Sequence, residues 1–177
     1  MDPILAGLIR TKASEVKNKS ILGLTILYKE LFVLSEESSE TEVYDSVTFA
    51  FRRRLIFKEL VGPQDIASSK RNNCLYILDY KGSDRSMEIL RVDRTGKLKQ
   101  HWSTGDDYGR GLSVTHESNV IFTVFIKHKI NEYSSNGQLI REINLSSEAG
   151  IRYPNYAIKL TNGNFVVSYG DAVRNCA

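Results

Sequence analysis

Cysteine is scarce in this chain. The 177 residues hold two, Cys74 and Cys176. That is too few for a disulfide framework, and neither has a second thiol or imidazole at metal-binding spacing. Long apolar runs are missing as well. The longest, residues 21–27, is interrupted by Gly23 and Thr25 and ends in Tyr28-Lys29-Glu30. It falls far short of the ~20 residues that cross a bilayer, so no membrane partner is expected. The amino terminus reads Met1-Asp2-Pro3-Ile4-Leu5, with an acid where a secretory signal carries positive charge. A cytoplasmic location is the expectation. Catalytic signatures are also lacking, with no glycine-rich phosphate loop and no nucleophile elbow. His101, His116 and His128 lie 15 and 12 residues apart, without a ligand partner at metal spacing. No catalytic residue, metal or cofactor is therefore expected, and the chain is read as a non-enzyme. The net charge of +3 neither requires nor excludes a nucleic-acid partner.

What the sequence does contain is a repeat. Four short β-branched and aromatic runs begin at Leu31, Leu75, Ile121 and Phe165, at spacings of 44, 46 and 44 residues. Each is about five residues long and almost wholly apolar, as suits a strand buried on both faces. The last three are preceded by Asn- or Gly-bearing turns at 70–73, 117–119 and 161–164, and before each turn lies another strand-like segment. A third strand follows at 88–92 and 129–133, then a turn containing Gly96 or Gly137, then a fourth strand at 98–102 and 139–143. A four-stranded antiparallel unit repeating every 40–45 residues is the signature of propeller blades. The fold is expected to be all-β, built of such blades. Their bounds are about 19–62, 63–106 and 107–150, with a half blade at 151–170. Residues 1–18 have no counterpart in the repeat and are read as a tail or short helix. The first unit is irregular. Its third strand is placed at 42–48, and Arg52-Arg53-Arg54 stands where the glycine turn is expected.

Three and a half blades are fewer than the four to eight that close a ring, and an open arc leaves strand edges unpaired. The chain is expected to be a fragment, a truncated reading frame or one partner in a shared ring. The remaining blades, in the same or another chain, would complete it.

The repeat resembles the NHL-type propellers. The residues that carry the resemblance are Gly-Pro-Gln-Asp-Ile at 62–66, Leu-Tyr-Ile-Leu-Asp at 75–79, Ile-Leu-Arg-Val-Asp-Arg-Thr-Gly-Lys-Leu at 89–98 and Asn-Glu-Tyr-Ser-Ser-Asn-Gly-Gln-Leu-Ile at 131–140. The resemblance implies a binding platform for proteins or RNA. Related propellers include sugar-lactone hydrolases and receptor-type rings, but the Tyr-Trp-Thr-Asp signature of the latter is absent. A non-enzymatic protein-binding scaffold is the first expectation. RNA binding through a basic face is the alternative, and a lactonase-like metal-dependent hydrolase is the third.

In a four-stranded blade, loops after the second and fourth strands share one face of the disc. That face receives the loops at 62–64, 106–110 and 151–156, joined by those around 81–85 and 127–128. Tyr108, Arg110, Arg152, Tyr153 and Asn155 are the candidate binding residues there. An aromatic ring beside a guanidinium offers a stacking plane and a forked donor for phosphate, carboxylate or an unstacked base. The basic turn Arg52, Arg53 and Arg54 is assigned to the opposite face, with Lys70, Arg71 and Lys97 near it. Asp106-Asp107 is weighed as a cation-binding pair and as a plain turn. Asp65, Ser68, Thr115 and Lys159 fall on the innermost strands and form no hydrolase constellation.

Overall fold

The computed structural model describes residues 20–36, 40–82, 86–145 and 150–170. The tail at 1–18, Cys176, and Ser83, Asp84 and Arg85 of the 81–85 loop lie outside them. Among the described residues, fourteen strands form three four-stranded antiparallel sheets and one two-stranded sheet, each ordered as in the chain. The first sheet contains β1 (Ile21–Leu27), β2 (Glu30–Ser35), β3 (Glu40–Asp45) and β4 (Phe51–Ile56). The second contains β5 (Pro63–Ser69), β6 (Cys74–Tyr80), β7 (Met87–Asp93) and β8 (Leu98–Ser103). The third contains β9 (Gly109–Val114), β10 (Val120–Val124), β11 (Lys129–Tyr133) and β12 (Leu139–Asn144). The last holds β13 (Pro154–Lys159) and β14 (Phe165–Tyr169).

Successive sheets pack through their first strands, β1 on β5, β5 on β9 and β9 on β13. Burial follows from this arrangement. The second strands β2, β6 and β10 are buried almost throughout, which is why they read as near-continuous apolar runs. Of these, β6 and β10 lie between neighbouring sheets, and one face of β2 packs within its own sheet, Leu31 and Val33 against Leu24, Tyr44 and Phe49. The outer strands are exposed or alternate, as in the Leu-Lys-Gln-His-Trp-Ser of β8. Leu27, Phe32, Leu55, Phe57, Ile66, Leu75 and Ile77 form the core between the first two sheets. Tyr76, Leu78, Met87, Leu112 and Phe122 fill the next interface.

Polar bonds link the first strands across sheet boundaries. Thr25 Oγ1 donates to Ser68 Oγ at 2.9 Å, Ser68 Oγ to the Ile26 carbonyl at 2.9 Å, and Ser113 Oγ to the Ala157 carbonyl at 2.6 Å. Asp65 accepts the Leu112 amide at 2.7 Å across the second interface. The approach is close because small residues alternate with large ones. A Cβ at Gly23 would lie 2.6 Å from Asp65 Oδ1, and one at Gly111 would lie 2.6 Å from the Asn155 carbonyl.

The turn between third and fourth strands repeats in detail. Asp93 Oδ1 accepts from the amides of Thr95 and Lys97, and Gly96 has a left-handed φ of 88°. In the third sheet Ser134 Oγ takes the Asp93 role, and Gly137 has φ 79°. In the first sheet Asp45 accepts from Val47 and Thr48, and Phe49 occupies the left-handed position at φ 56°.

This corrects three expectations for the first unit. The turn lies at 46–50, the third strand is Glu40–Asp45 rather than 42–48, and Arg52, Arg53 and Arg54 are not in a turn at all. They lie in β4, opposite the acids of the strands beside it. Arg52 pairs with Asp45, Arg53 with Glu30, and Arg54 with Glu42 at 3.3 Å. Arg53 also donates to the Arg94 carbonyl of the second sheet at 3.1 Å. The hydrogen bond from Arg53 holds the Glu30 carboxyl below its usual range. Three adjacent cations are tolerated on one strand because each has its own acid.

A buried network stiffens the third sheet. Glu132 is 2% exposed, and its carboxylate accepts from Arg141 at 2.8 Å, Asn119 at 2.8 Å and Lys159 at 3.0 Å. Burial pushes this carboxyl up, but the three donors outweigh it and hold the group below the usual carboxylate range. Lys159 comes from β13, so the network also ties the third sheet to the fourth. Glu132→Gln keeps the shape, removes the charge and sets an amide N–H₂ against one of the donors. It is expected to cost about 2 kcal/mol, read from the urea midpoint.

Candidate functional site

Three of the five candidate residues converge where the third sheet meets the fourth. Arg110 is exposed on β9, because the strand begins at Gly109 rather than at 112. Its guanidinium lies over the Phe125 ring, 4.3 Å from the centroid. Phe125 belongs to the 125–128 turn after β10, and its amide donates to the Tyr108 carbonyl at 3.0 Å. Tyr108 meets Tyr80 edge-on at 6.0 Å between centroids. On the other side, Tyr153 packs 5.4 Å from Phe125 and perpendicular to His128 at 4.7 Å. The Tyr153 amide donates to His128 Nδ1 at 3.0 Å, so this nitrogen is the unprotonated one.

Both His128 and Tyr153 sit at left-handed φ values, 51° and 52°. Such backbones persist where neighbouring contacts hold them, here the ring pair and its hydrogen bond. Arg152, next to Tyr153, is exposed and has no partner among the described residues. Ile126, in the same turn as Phe125, is exposed at 46%. The surface therefore combines an ordered ring cluster, an apolar tip and two available guanidinium groups.

Asn155 does not join them. It lies in β13, with its carbonyl against Gly111 at the joint between first strands. Asp107 is no cation site either. It is buried and salt-bridged to Lys127 and Lys129, both at 2.8 Å, and Asn131 donates to it at 2.8 Å. Burial raises its carboxyl and these donors more than reverse the effect. Phe125 and His128 were not among the residues expected to bind. Phe125 reads as the last residue of the apolar run 121–125, yet the chain turns one residue earlier. Among the described residues, no three His, Cys, Asp or Glu side chains gather to hold a metal ion.

No family model matches the chain, and no curated protein matches it in sequence. Solved structures match by shape. A protein of unknown function from Bacteroides caccae shares 18% identity with a TM-score of 0.60, over 88% of this chain and 55% of that one. Hydrazine synthase of Kuenenia stuttgartiensis shares 13% with a TM-score of 0.64, over 86% and 44%. A chain of a nidogen/laminin complex shares 15% with a TM-score of 0.63, over 85% and 57%. The chain thus spans about half the length of the structures it resembles. Its sheets are blades of a β-propeller-type fold, three of four strands and one of two, in an arc that does not close.

Proposed function

We propose that this chain is a non-enzymatic binding scaffold of propeller type, and that the surface around Arg110, Phe125, Arg152 and Tyr153 receives an acidic segment of a protein partner. The observation that carries the reading is the ordered stack of Arg110 on Phe125, with Tyr153 packed against the same ring and the unpartnered Arg152 next to it in sequence. Aromatic and arginine side chains concentrate binding energy, the rings because they bury large area at low rotamer cost and arginine through its planar fork of donors, here already stacked on a ring. The turns at Gly96 and Gly137, each followed by X-Leu, favour the NHL type, and a cytoplasmic setting goes with it. The nidogen/laminin match is in keeping with a scaffold role. For the RNA alternative, Arg52, Arg53 and Arg54 offer little, since their charges are already balanced within the first sheet.

The test is affinity capture with the wild-type chain and with the Arg110→Ala/Arg152→Ala double variant, followed by titration of the captured partner. The double variant is expected to weaken binding by about 30-fold or more. Arg54→Ala, on the outer strand of the first sheet, is expected to leave it unchanged. Equal binding by the double variant and the wild type would remove this surface from the account.

A further inference from the structure

A cleft of about 380 Å³ opens on the opposite face of the disc, between the β5–β6 turn and the β9–β10 turn. Its lining includes Ser69, Lys70, Arg71, Thr115, His116 and Ser118. Two features suit it to an anion. The first is that its cations are free. Arg52, Arg53, Arg54, Arg141, Lys81, Lys99, Lys127, Lys129 and Lys159 all face acids. No acidic group partners the Lys70 ammonium or the Arg71 guanidinium among the described residues, and both are exposed at the rim. Glu117, between the lining residues His116 and Ser118, has Thr115 and His116 beside it and faces Lys159 at 4.0 Å.

The second feature is a buried donor. The Asn72 amide donates to Ser69 Oγ at 3.2 Å, and Ser69 Oγ donates to Ser118 Oγ at 3.2 Å. Ser69 and Ser118 are 2% and 5% exposed. Whichever way the Ser69–Ser118 bond runs, the pair keeps one hydroxyl proton for which no acceptor stands among the described residues. A buried hydroxyl donor, an ammonium and a guanidinium fork around one cleft complement an anion with several oxygen acceptors and more than one charge.

We infer that this cleft binds a phosphate monoester, with Lys70 and Arg71 supplying charge and the Ser69–Ser118 pair a hydrogen bond from the floor. The site is separate from the Arg110 surface, and the volume admits a phosphate group with the side chain that carries it. The experiment is an amide-resolved NMR titration of the whole chain with inorganic phosphate and with a phosphoserine peptide. Saturable shifts at Lys70, Arg71, His116 and Ser118 are expected. They should weaken at least tenfold in Lys70→Gln/Arg71→Gln and persist in Arg110→Ala/Arg152→Ala. Both variants lie at exposed positions, and unchanged dispersion of the remaining peaks checks their folding. Tighter binding of the peptide than of phosphate assigns the monoester to a phosphoprotein, and equal binding assigns it to a free anion. Absence of saturable shifts with both probes, or shifts that the Lys70/Arg71 variant leaves intact, overturns the inference. So does a phosphodiester oligonucleotide that binds more tightly than either.

Discussion

Gly109→Ala is expected to destabilise the chain by at least about 3 kcal/mol, a large share of the 5–15 kcal/mol that holds a typical domain folded. Gly109 opens β9 opposite a bulge at Thr123/Val124. An added methyl would run into the Thr123 carbonyl oxygen and into the Phe122 ring, whose Cζ would be 2.6 Å away. Phe122 is fully buried, so the ring has nowhere to turn. The carbonyl belongs to the strand paired with β9 and cannot move without breaking the ladder. For that reason Phe122→Leu, which clears the ring, is not expected to rescue Gly109→Ala. Gly163→Ala is the control. Nothing lies within 4 Å of its added carbon, and only its φ of 87° is strained. Its cost is expected to be about 1 kcal/mol. Urea midpoints of the three variants separate a steric cause from a conformational one. A Gly109→Ala cost no larger than that of Gly163→Ala would contradict the packing described for β9.

The second large effect is on pH dependence. Asp65 is 8% exposed and lies where the first three sheets meet. It accepts the amides of Ile66 at 2.8 Å and Leu112 at 2.7 Å. It makes no ion pair among the described residues, and the group beside it is Tyr156, whose hydroxyl is pushed up to about 12 by burial and then by Asp65 itself. Burial pushes the Asp65 carboxyl up to about 7, and the two amides offset only part of this. An unfolded Asp titrates near 3.9. Between about pH 4 and 7 the folded state therefore binds more protons than the unfolded state, so this group's contribution to stability declines as pH rises through that window. The decline amounts to roughly 2–4 kcal/mol. Glu30, Asp107 and Glu132 act in the opposite sense at lower pH, because donors hold their carboxyls down. Asp65→Asn separates the two contributions. Plotted from pH 4.5 to 7.5, the wild-type stability minus that of Asp65→Asn is expected to fall with pH. A flat difference would mean that Asp65 is ionised in the fold.

The blade architecture was legible because it is written in period and burial. The runs at 31–35, 75–79 and 121–125 are almost wholly apolar because both faces of these strands are covered, by neighbouring blades at 75–79 and 121–125 and by one neighbouring blade and the strand's own sheet at 31–35. The glycine turns at Gly96 and Gly137 were legible for a similar reason, as left-handed backbone favours glycine. The first unit was misread where that rule is broken. Phe49 takes the left-handed position, and with no glycine to mark the turn, the arginines of β4 were displaced into it. Their ion pairs with Glu30, Glu42 and Asp45 join strands that sequence spacing does not connect. The binding surface was half legible. Arg110 and Tyr153 were named from corresponding loops, but the ring they gather around, Phe125, looks like strand, and the Tyr108 ring named with them packs on Tyr80 instead. Its role becomes apparent only when two blades are set side by side. The free cations at Lys70 and Arg71 were visible as residues, and their lack of partners was not.

Placing a photoreactive phenylalanine analogue at Arg152, and in a second sample at Val47 on the opposite face, tests the binding account most directly. The exposed Val47, in the turn after β3, serves as the reference position. Illumination in cell extract is expected to give a discrete protein adduct from position 152, lost when Arg110→Ala is added, and none of that adduct from position 47. The same adduct from both positions, or one at 152 that survives Arg110→Ala, would contradict the assignment of the partner to the Arg110–Phe125–Tyr153 surface.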